Sequence, residues 1–118
     1  MLPRMQCEIV RECALAIDAL AAEVRDEAEF FASTNTLMYV EAYLLTVAQT
    51  LEHLAPVLHS RLAWIDWHGW QTLQVLLEED VQPRREEVWY GMRSLLPATL
   101  HLIEQLRRIE PVWFEIAY

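Results

Sequence analysis

The stretch Arg61–Trp70, RLAWIDWHGW, holds the side chains of this sequence best suited to chemistry. Arg61 and His68 lie seven positions apart, so a helix would place them two turns apart on nearly one face. An arginine so placed can bind a scissile phosphate, and a histidine can move a proton to or from a ribose hydroxyl or a leaving oxygen. The pair is therefore a candidate catalytic site for RNA cleavage. The alternative is that Arg61 is a surface residue and that His68 caps or packs near Gly69.

The same stretch carries three tryptophans, Trp64, Trp67 and Trp70, spaced by three. Such a stripe can form a stacking platform for bases, or it can be part of a core or subunit interface, where large aromatic side chains contribute most of the burial. The formal net charge of −9 repels a phosphate backbone, which favours the core or interface interpretation.

Other kinds of site are not indicated by the sequence. The four histidines show no ligand spacing, and the two glycines, Gly69 and Gly91, cannot form a glycine-rich phosphate loop. We therefore expect no metal and no cofactor. Cys7 and Cys13 would point in different directions on one helix, which predicts free thiols and a reduced, intracellular protein.

Composition and periodicity predict a single all-α domain over residues 1–118. With 54% hydrophobic residues and few glycines, the chain is typical of a compact antiparallel bundle of four or five helices. The second helix has the clearest signal, a heptad seam from Leu37 to Leu54. Long helices are predicted at about 4–31, 36–55, 70–79 and 84–108.

Two further features belong to the end of the chain. Pro97 lies inside the last predicted helix and is expected to kink it. The tail 111–118 is strongly apolar, and we expect Trp113 and Phe114 to dock on their own domain or on a second subunit.

Targeting segments are not indicated by the sequence. Charged residues interrupt the first apolar run, so no signal peptide is predicted, and no uncharged apolar run approaches the ~20 residues needed to span a membrane. These features together favour a cytoplasmic protein with no membrane partner.

The chain from about Phe30 to Arg108 resembles the HepT-like proteins of the HEPN superfamily. The segment FFASTNTLMYVEAYLLTVAQTLEHL is similar to the family's phenylalanine followed by a long apolar second helix. Trp67 is similar to its tryptophan before the motif helix. The segment EEVWYGMRSLLPATLHLIEQL is similar to its closing helix, with Val88-Trp89 and Leu96-Pro97 in place.

The resemblance implies a small helical bundle, usually a homodimer, that acts as a toxin beside a minimal nucleotidyltransferase antitoxin. The family's active motif is an arginine followed a few residues later by a histidine and often a tyrosine. In the alignment anchored on Trp67 and Trp89 these three positions fall near Gln74, Glu79 and Val81, so none is kept. This alignment implies a catalytically inactive relative.

A second alignment keeps Arg61 and His68 as the motif, with Gly69-Trp70 where the family often has Gly-Tyr. It needs an insertion before Trp89. Two functions stay open from the sequence: a non-catalytic interaction protein of a toxin–antitoxin-type pair, and a metal-independent ribonuclease toxin using Arg61 and His68. RNA is a partner only in the second. An unrelated helical bundle with similar apolar spacing is the third possibility.

Overall fold

The computed structural model describes residues 2–115, and this range contains helices and no strand. The predicted all-α bundle is thereby confirmed. The α-helices are α1 (Pro3–Ala21), α2 (Glu27–Ala32), α3 (Thr34–Glu52), α4 (Pro56–Arg61), α5 (Trp67–Glu78), α6 (Arg85–Tyr90) and α7 (Leu96–Ile109). A π-helical turn, Gly91–Leu95, joins α6 to α7, and a short 3-10 helix, Pro111–Phe114, follows α7. No helix within residues 2–115 combines the length and the apolar character that crossing a bilayer requires.

The first predicted helix, 4–31, is two helices. The helix α1 ends at Ala21, and Asp26 then adopts an extended conformation and starts α2 as its N-cap. Its carboxylate accepts a hydrogen bond from the backbone N–H of Glu29 at 2.8 Å. Because an N-cap residue must be non-helical, this local bond ends any continuous helix through residue 26.

The heptad seam of α3 is confirmed as the centre of the core. Leu37, the first residue of the seam, is partly buried. The other five, Val40, Leu44, Val47, Leu51 and Leu54, are buried, and α1 packs along this face. The helix runs from Thr34 to Glu52 instead of 36–55.

The main helices pair antiparallel. The side chain of Gln6, near the start of α1, reaches the backbone of His53 just after α3. At the other flank of α3, Gln74 of α5 donates to Glu52, and Gln49 of α3 donates to Glu78 further along α5. The paired residue numbers of α3 and α5 run in opposite directions, from Glu52–Gln74 to Gln49–Glu78, so this pair is antiparallel as well.

The predicted helix 84–108 is an unbroken helical run, Arg85–Ile109, whose irregularity lies before Pro97. The N–H of Leu96 donates to the carbonyl oxygen of Gly91, five residues back, which defines the π-helical turn. At this turn Gly91 lies against α5, and a Cβ there would be 2.8 Å from Cδ2 of Leu73. Pro97, which has no backbone N–H to donate, follows this wide turn directly. The turn makes room for the proline, so every residue from Arg85 to Ile109 stays helical.

Candidate functional site

Arg61 ends α4 and faces the end of α7. Its Nη1 lies 3.8 Å from Oε1 of Glu110, and its guanidinium carbon is 5.1 Å from the centre of the Trp113 ring. About half of the side chain is exposed. The guanidinium that the sequence assigned to phosphate binding therefore already contacts a carboxylate and an aromatic face of its own chain.

His68 lies on a different element, in the exposed first turn of α5. Residues 62–66 separate α4 from α5 as a turn, so Arg61 and His68 do not lie on one helix. No hydrogen bond joins the two side chains within residues 2–115. His68 lies beside Gln71 and Thr72 of its own helix.

Asp66 is the charged neighbour of His68. It caps α5 by accepting from the backbone N–H of Gly69 at 2.9 Å, and it accepts from the hydroxyl of Tyr90 at 2.8 Å. The hydrogen bond from Gly69, then that from Tyr90, and to a smaller extent the nearby His68, lower the pKa of the Asp66 carboxyl. The same hydrogen bond to Asp66 raises the pKa of Tyr90.

Gly69 allows this arrangement. A Cβ at Gly69 would stand 2.5 Å from Oδ2 of Asp66, so any other residue would displace the capping carboxylate. The sequence analysis missed Asp66 and Tyr90. An aspartate three residues before a glycine at a helix start is the signal that could have indicated the cap, whereas the contact with Tyr90 depends on tertiary packing.

The three tryptophans of the stretch do not form one stripe. Trp70 is buried at 2% exposure, and its Nε1 donates to Oγ1 of Thr99 at 2.9 Å. Trp67 is half-buried, donates from Nε1 to the carbonyl oxygen of Leu62, and stacks on the His59 ring with the centres 4.1 Å apart. Both indoles therefore stabilise this chain's own fold, and Trp70 exposes no surface to a partner.

Trp64 has the opposite environment. It lies in the turn before α5 with 89% of its surface exposed. It borders a groove of about 180 Å³ whose walls include Leu62, Leu102 and Ile109. Ile109 itself is 69% exposed. We call the surface formed by Trp64, Leu102, Ile109, Arg61 and Glu110 the Trp64 surface.

The C-terminal aromatic residues pack on their own domain as far as the structure describes them. Phe114 is buried at 2% exposure, and Trp113 is half-buried with its Nε1 donating to Glu110. This agrees with the predicted docking of the tail over residues 111–115, while 116–118 lie outside the described residues.

The positions aligned with the family motif carry no cation. Gln74 donates from Nε2 to the carboxylates of Glu52 at 2.8 Å and Glu78 at 2.9 Å. Glu79 and Val81 are exposed beside them. An RNA phosphate near Gln74 would therefore meet carboxylates.

The described residues also contain no group of three or more histidine, cysteine or acidic side chains placed to hold a metal ion. Cys7 and Cys13 are both free and buried. Burial raises the pKa of the Cys7 thiol to about 12 and also raises that of Cys13. Neither thiol is therefore activated as a nucleophile.

Comparisons with protein families, with curated proteins and with solved structures find no significant match to this chain.

Proposed function

We propose that this chain is a catalytically inactive, HEPN-like helical interaction module of a toxin–antitoxin-type system. The observation that carries the proposal is the Trp64 surface, where an indole is 89% exposed beside a second exposed apolar side chain, Ile109. Burying a tryptophan contributes more to binding than burying almost any other side chain. A water-exposed indole at the edge of an apolar groove is typical of a protein contact.

The charge at this surface supports a protein partner. The charged side chains lining the groove, Arg61 and Glu110, have opposite signs and lie near each other. The Trp64 surface is therefore locally neutral on a chain of net charge −9. A neutral apolar surface lacks the excess of cations that RNA binding requires.

The absence of catalysis is supported by two observations within residues 2–115. Arg61 already contacts Glu110 and Trp113, while His68 lies on α5 and shares no hydrogen bond with Arg61. A phosphate-binding group and a proton-transfer group must act on one reacting centre.

We propose a second copy of this chain as the occupant of the Trp64 surface. An isologous dimer needs a self-complementary surface, and this one places a protruding indole directly beside an apolar groove. Each Trp64 would enter the partner's groove, and Arg61 of one copy would approach Glu110 of the other. A nucleotidyltransferase-type antitoxin, as the HepT resemblance implies, would then bind the dimer. With two free thiols the module belongs in a reducing compartment, which we take to be the cytoplasm.

The test of the dimer is the molecular mass in solution, measured by sedimentation equilibrium between roughly 1 and 100 µM. We expect a dimer for the wild type, a monomer for Trp64→Ser, and a dimer for the matched control Tyr39→Ser, which removes another exposed aromatic residue from α3. A monomeric wild type, or a dimer that Trp64→Ser leaves intact, would contradict the proposed contact.

The test of inactivity is growth of a host that expresses the wild type or His68→Ala, with total RNA analysed for cleavage. We expect equal growth and intact RNA in both cultures. Toxicity and RNA cleavage that disappear with His68→Ala would replace the proposal with the ribonuclease alternative.

A further inference from the structure

A second groove, of about 830 Å³, lies between α1 and the end of α3 and takes no part in the proposed function. Its walls come from α1, the second half of α3 and the start of α4. Its volume lies within the range of sites for small organic ligands. Its lining residues are Gln6, Thr46, Gln49, Thr50, His53, Leu54, Ala55 and Pro56.

Gln6 is the unusual residue of this groove, because its polar side chain is 94% buried, with only 6% exposed. Its Nε2 donates to the carbonyl oxygen of His53 at 3.1 Å, and since a carbonyl can only accept, this bond fixes the orientation of the amide. Within residues 2–115 the Oε1 atom of Gln6 accepts no hydrogen bond. Every fully buried side-chain polar atom in that range has a hydrogen-bond partner, so Oε1 must be partly exposed. Oε1 of Gln6 is therefore an acceptor that is open to the groove.

The donors of the two threonines and of His53 in the groove are also occupied. The hydroxyl of Thr46 donates to the carbonyl oxygen of Ala42 at 3.0 Å, and that of Thr50 donates to Thr46 at 2.7 Å. Nδ1 of His53 lies 2.8 Å from the carbonyl oxygen of Gln49, so Nδ1 carries the proton and Nε2 of the neutral ring accepts. The lone pairs left over belong to hydroxyl, amide and imidazole groups. They outnumber the free donors, which are the second N–H of the Gln6 and Gln49 amides, so the groove favours a ligand that mainly donates hydrogen bonds.

Charge favours the same kind of ligand. None of the lining residues is an arginine or a carboxylate, so no fixed ion pair competes for the site. The chain as a whole carries a net charge of −9, whose field attracts cations. The side chains of Leu54 and Pro56 offer apolar surface to the body of a ligand.

We propose that this groove binds a small organic cation with several N–H donors on an apolar body, such as an aryl or alkyl amidinium. The cationic end would donate to Oε1 of Gln6 and to Nε2 of His53, and the apolar end would pack on Leu54 and Pro56. Hydrogen bonds from a charged donor are stronger than those from a neutral one, so the cation is preferred over its neutral analogue.

Three probes of nearly the same shape test this selectivity. Benzamidine is a cation with donors only, benzamide is neutral with a donor and an acceptor, and benzoate is an anion with acceptors only. We expect benzamidine to bind with a dissociation constant on the order of 1 mM, benzamide to bind roughly tenfold more weakly, and benzoate not to bind. The measurement is a titration of the full chain followed by ¹H–¹⁵N NMR, with shifts expected at residue 6 and over 46–56.

Two variants locate the site. Gln6→Met keeps the length of the buried side chain and removes the acceptor, and we expect it to weaken benzamidine binding about fivefold to tenfold. Thr46→Trp fills the groove from an exposed position of α3, so it preserves the fold and should abolish the shifts. Gln71→Met, on the exposed face of α5, is the matched control and should bind like the wild type.

Four results would overturn the proposal: no shifts at 20 mM benzamidine, equal affinity for benzamide, shifts that map outside the groove, or unchanged binding by Thr46→Trp. The last two would reveal general attraction of a cation to an acidic surface. Circular dichroism of each variant confirms folding, and Thr46→Trp decides the outcome if Gln6→Met does not fold. The self-association of the chain is measured separately, so this test and the dimer test fail independently.

Discussion

Arg84 joins α3 to the loop before α6, and its removal is the perturbation that we expect to cost the most stability. Its Nε lies 2.6 Å from Oε2 of Glu41, and its Nη2 lies 3.2 Å from Oε1 of the same carboxylate. A third bond runs from Nη1 to Asp80 at 2.7 Å. The Arg84 and Glu41 side chains are only 12% and 17% exposed, so solvent screens the pair weakly. The pair raises the pKa of Arg84 further above its ordinary value, with the hydrogen bond to Glu41 as the largest cause.

The magnitude follows from this burial. Arg84→Met leaves Glu41 as a largely buried carboxylate without its partner, and breaking such a pair costs about 3 kcal/mol. For a domain of this size that loss corresponds to a fall in Tm of roughly 10–15 °C. Glu41→Gln should cost less than Arg84→Met, and in the double variant the two losses should not add, leaving a coupling free energy of about 2 kcal/mol.

The assay is urea unfolding followed by circular dichroism, with thermal unfolding as a check. Arg25→Met is the matched control. Arg25 contacts Glu29 at 2.9 Å, but its side chain is 90% exposed. We expect the control to change the free energy of unfolding by less than about 0.5 kcal/mol. A loss in Arg84→Met no larger than in the control, or a coupling free energy below about 0.5 kcal/mol, would refute the reasoning from burial.

Three further predictions concern single contacts. Thr99→Val removes the acceptor of the buried Trp70 indole and should lower the free energy of unfolding by about 1–3 kcal/mol in urea unfolding. Tyr90→Phe removes a donor to Asp66 and should raise the pKa of that carboxyl in a ¹³C NMR titration. Because folding lowers the pKa of Asp66, this carboxyl stabilises the fold at pH values above its unfolded pKa, and that stabilisation is lost as the pH falls through its folded pKa. Tyr90→Phe should make this acid-induced loss of stability smaller. The thiol of Cys7 should stay unmodified by iodoacetamide at pH 8 in the folded protein and react once it is unfolded, as peptide mass spectrometry would show.

The all-α class and the core face of α3 could be predicted because both depend on local periodicity. Every third or fourth residue from Val40 to Leu54 is apolar, and a helix places these residues on one side regardless of its neighbours. The break at residues 22–26 could not be predicted from periodicity, since Val24 and Phe31 continue the apolar pattern across it. The capping bond of Asp26 decides that boundary.

The candidate site was less predictable, because its spacing argument assumed one helix. Spacing places Arg61, Trp64 and His68 on one face only if the backbone between them is helical. Residues 62–66 form a turn instead of a helix. The turn places Arg61 and His68 on different helices and leaves Trp64 exposed. The groove at Gln6 lay beyond sequence reasoning, because it depends on contact between residues 47 positions apart.

The π-helical turn Gly91–Leu95 has a consequence for how insertions and deletions act on this chain. A π turn holds one residue more than an α turn, and one residue corresponds to about 100° of rotation around the helix axis. The wide turn absorbs its extra residue, because Leu96 bonds to Gly91 as the residue four positions on would in an α-helix. Deleting Ser94 should therefore leave an ordinary α turn and keep Ile103 facing the core, at the expense of the wide turn that accommodates Pro97. A one-residue deletion within α7 has no such compensation and would rotate the residues after it by about 100°.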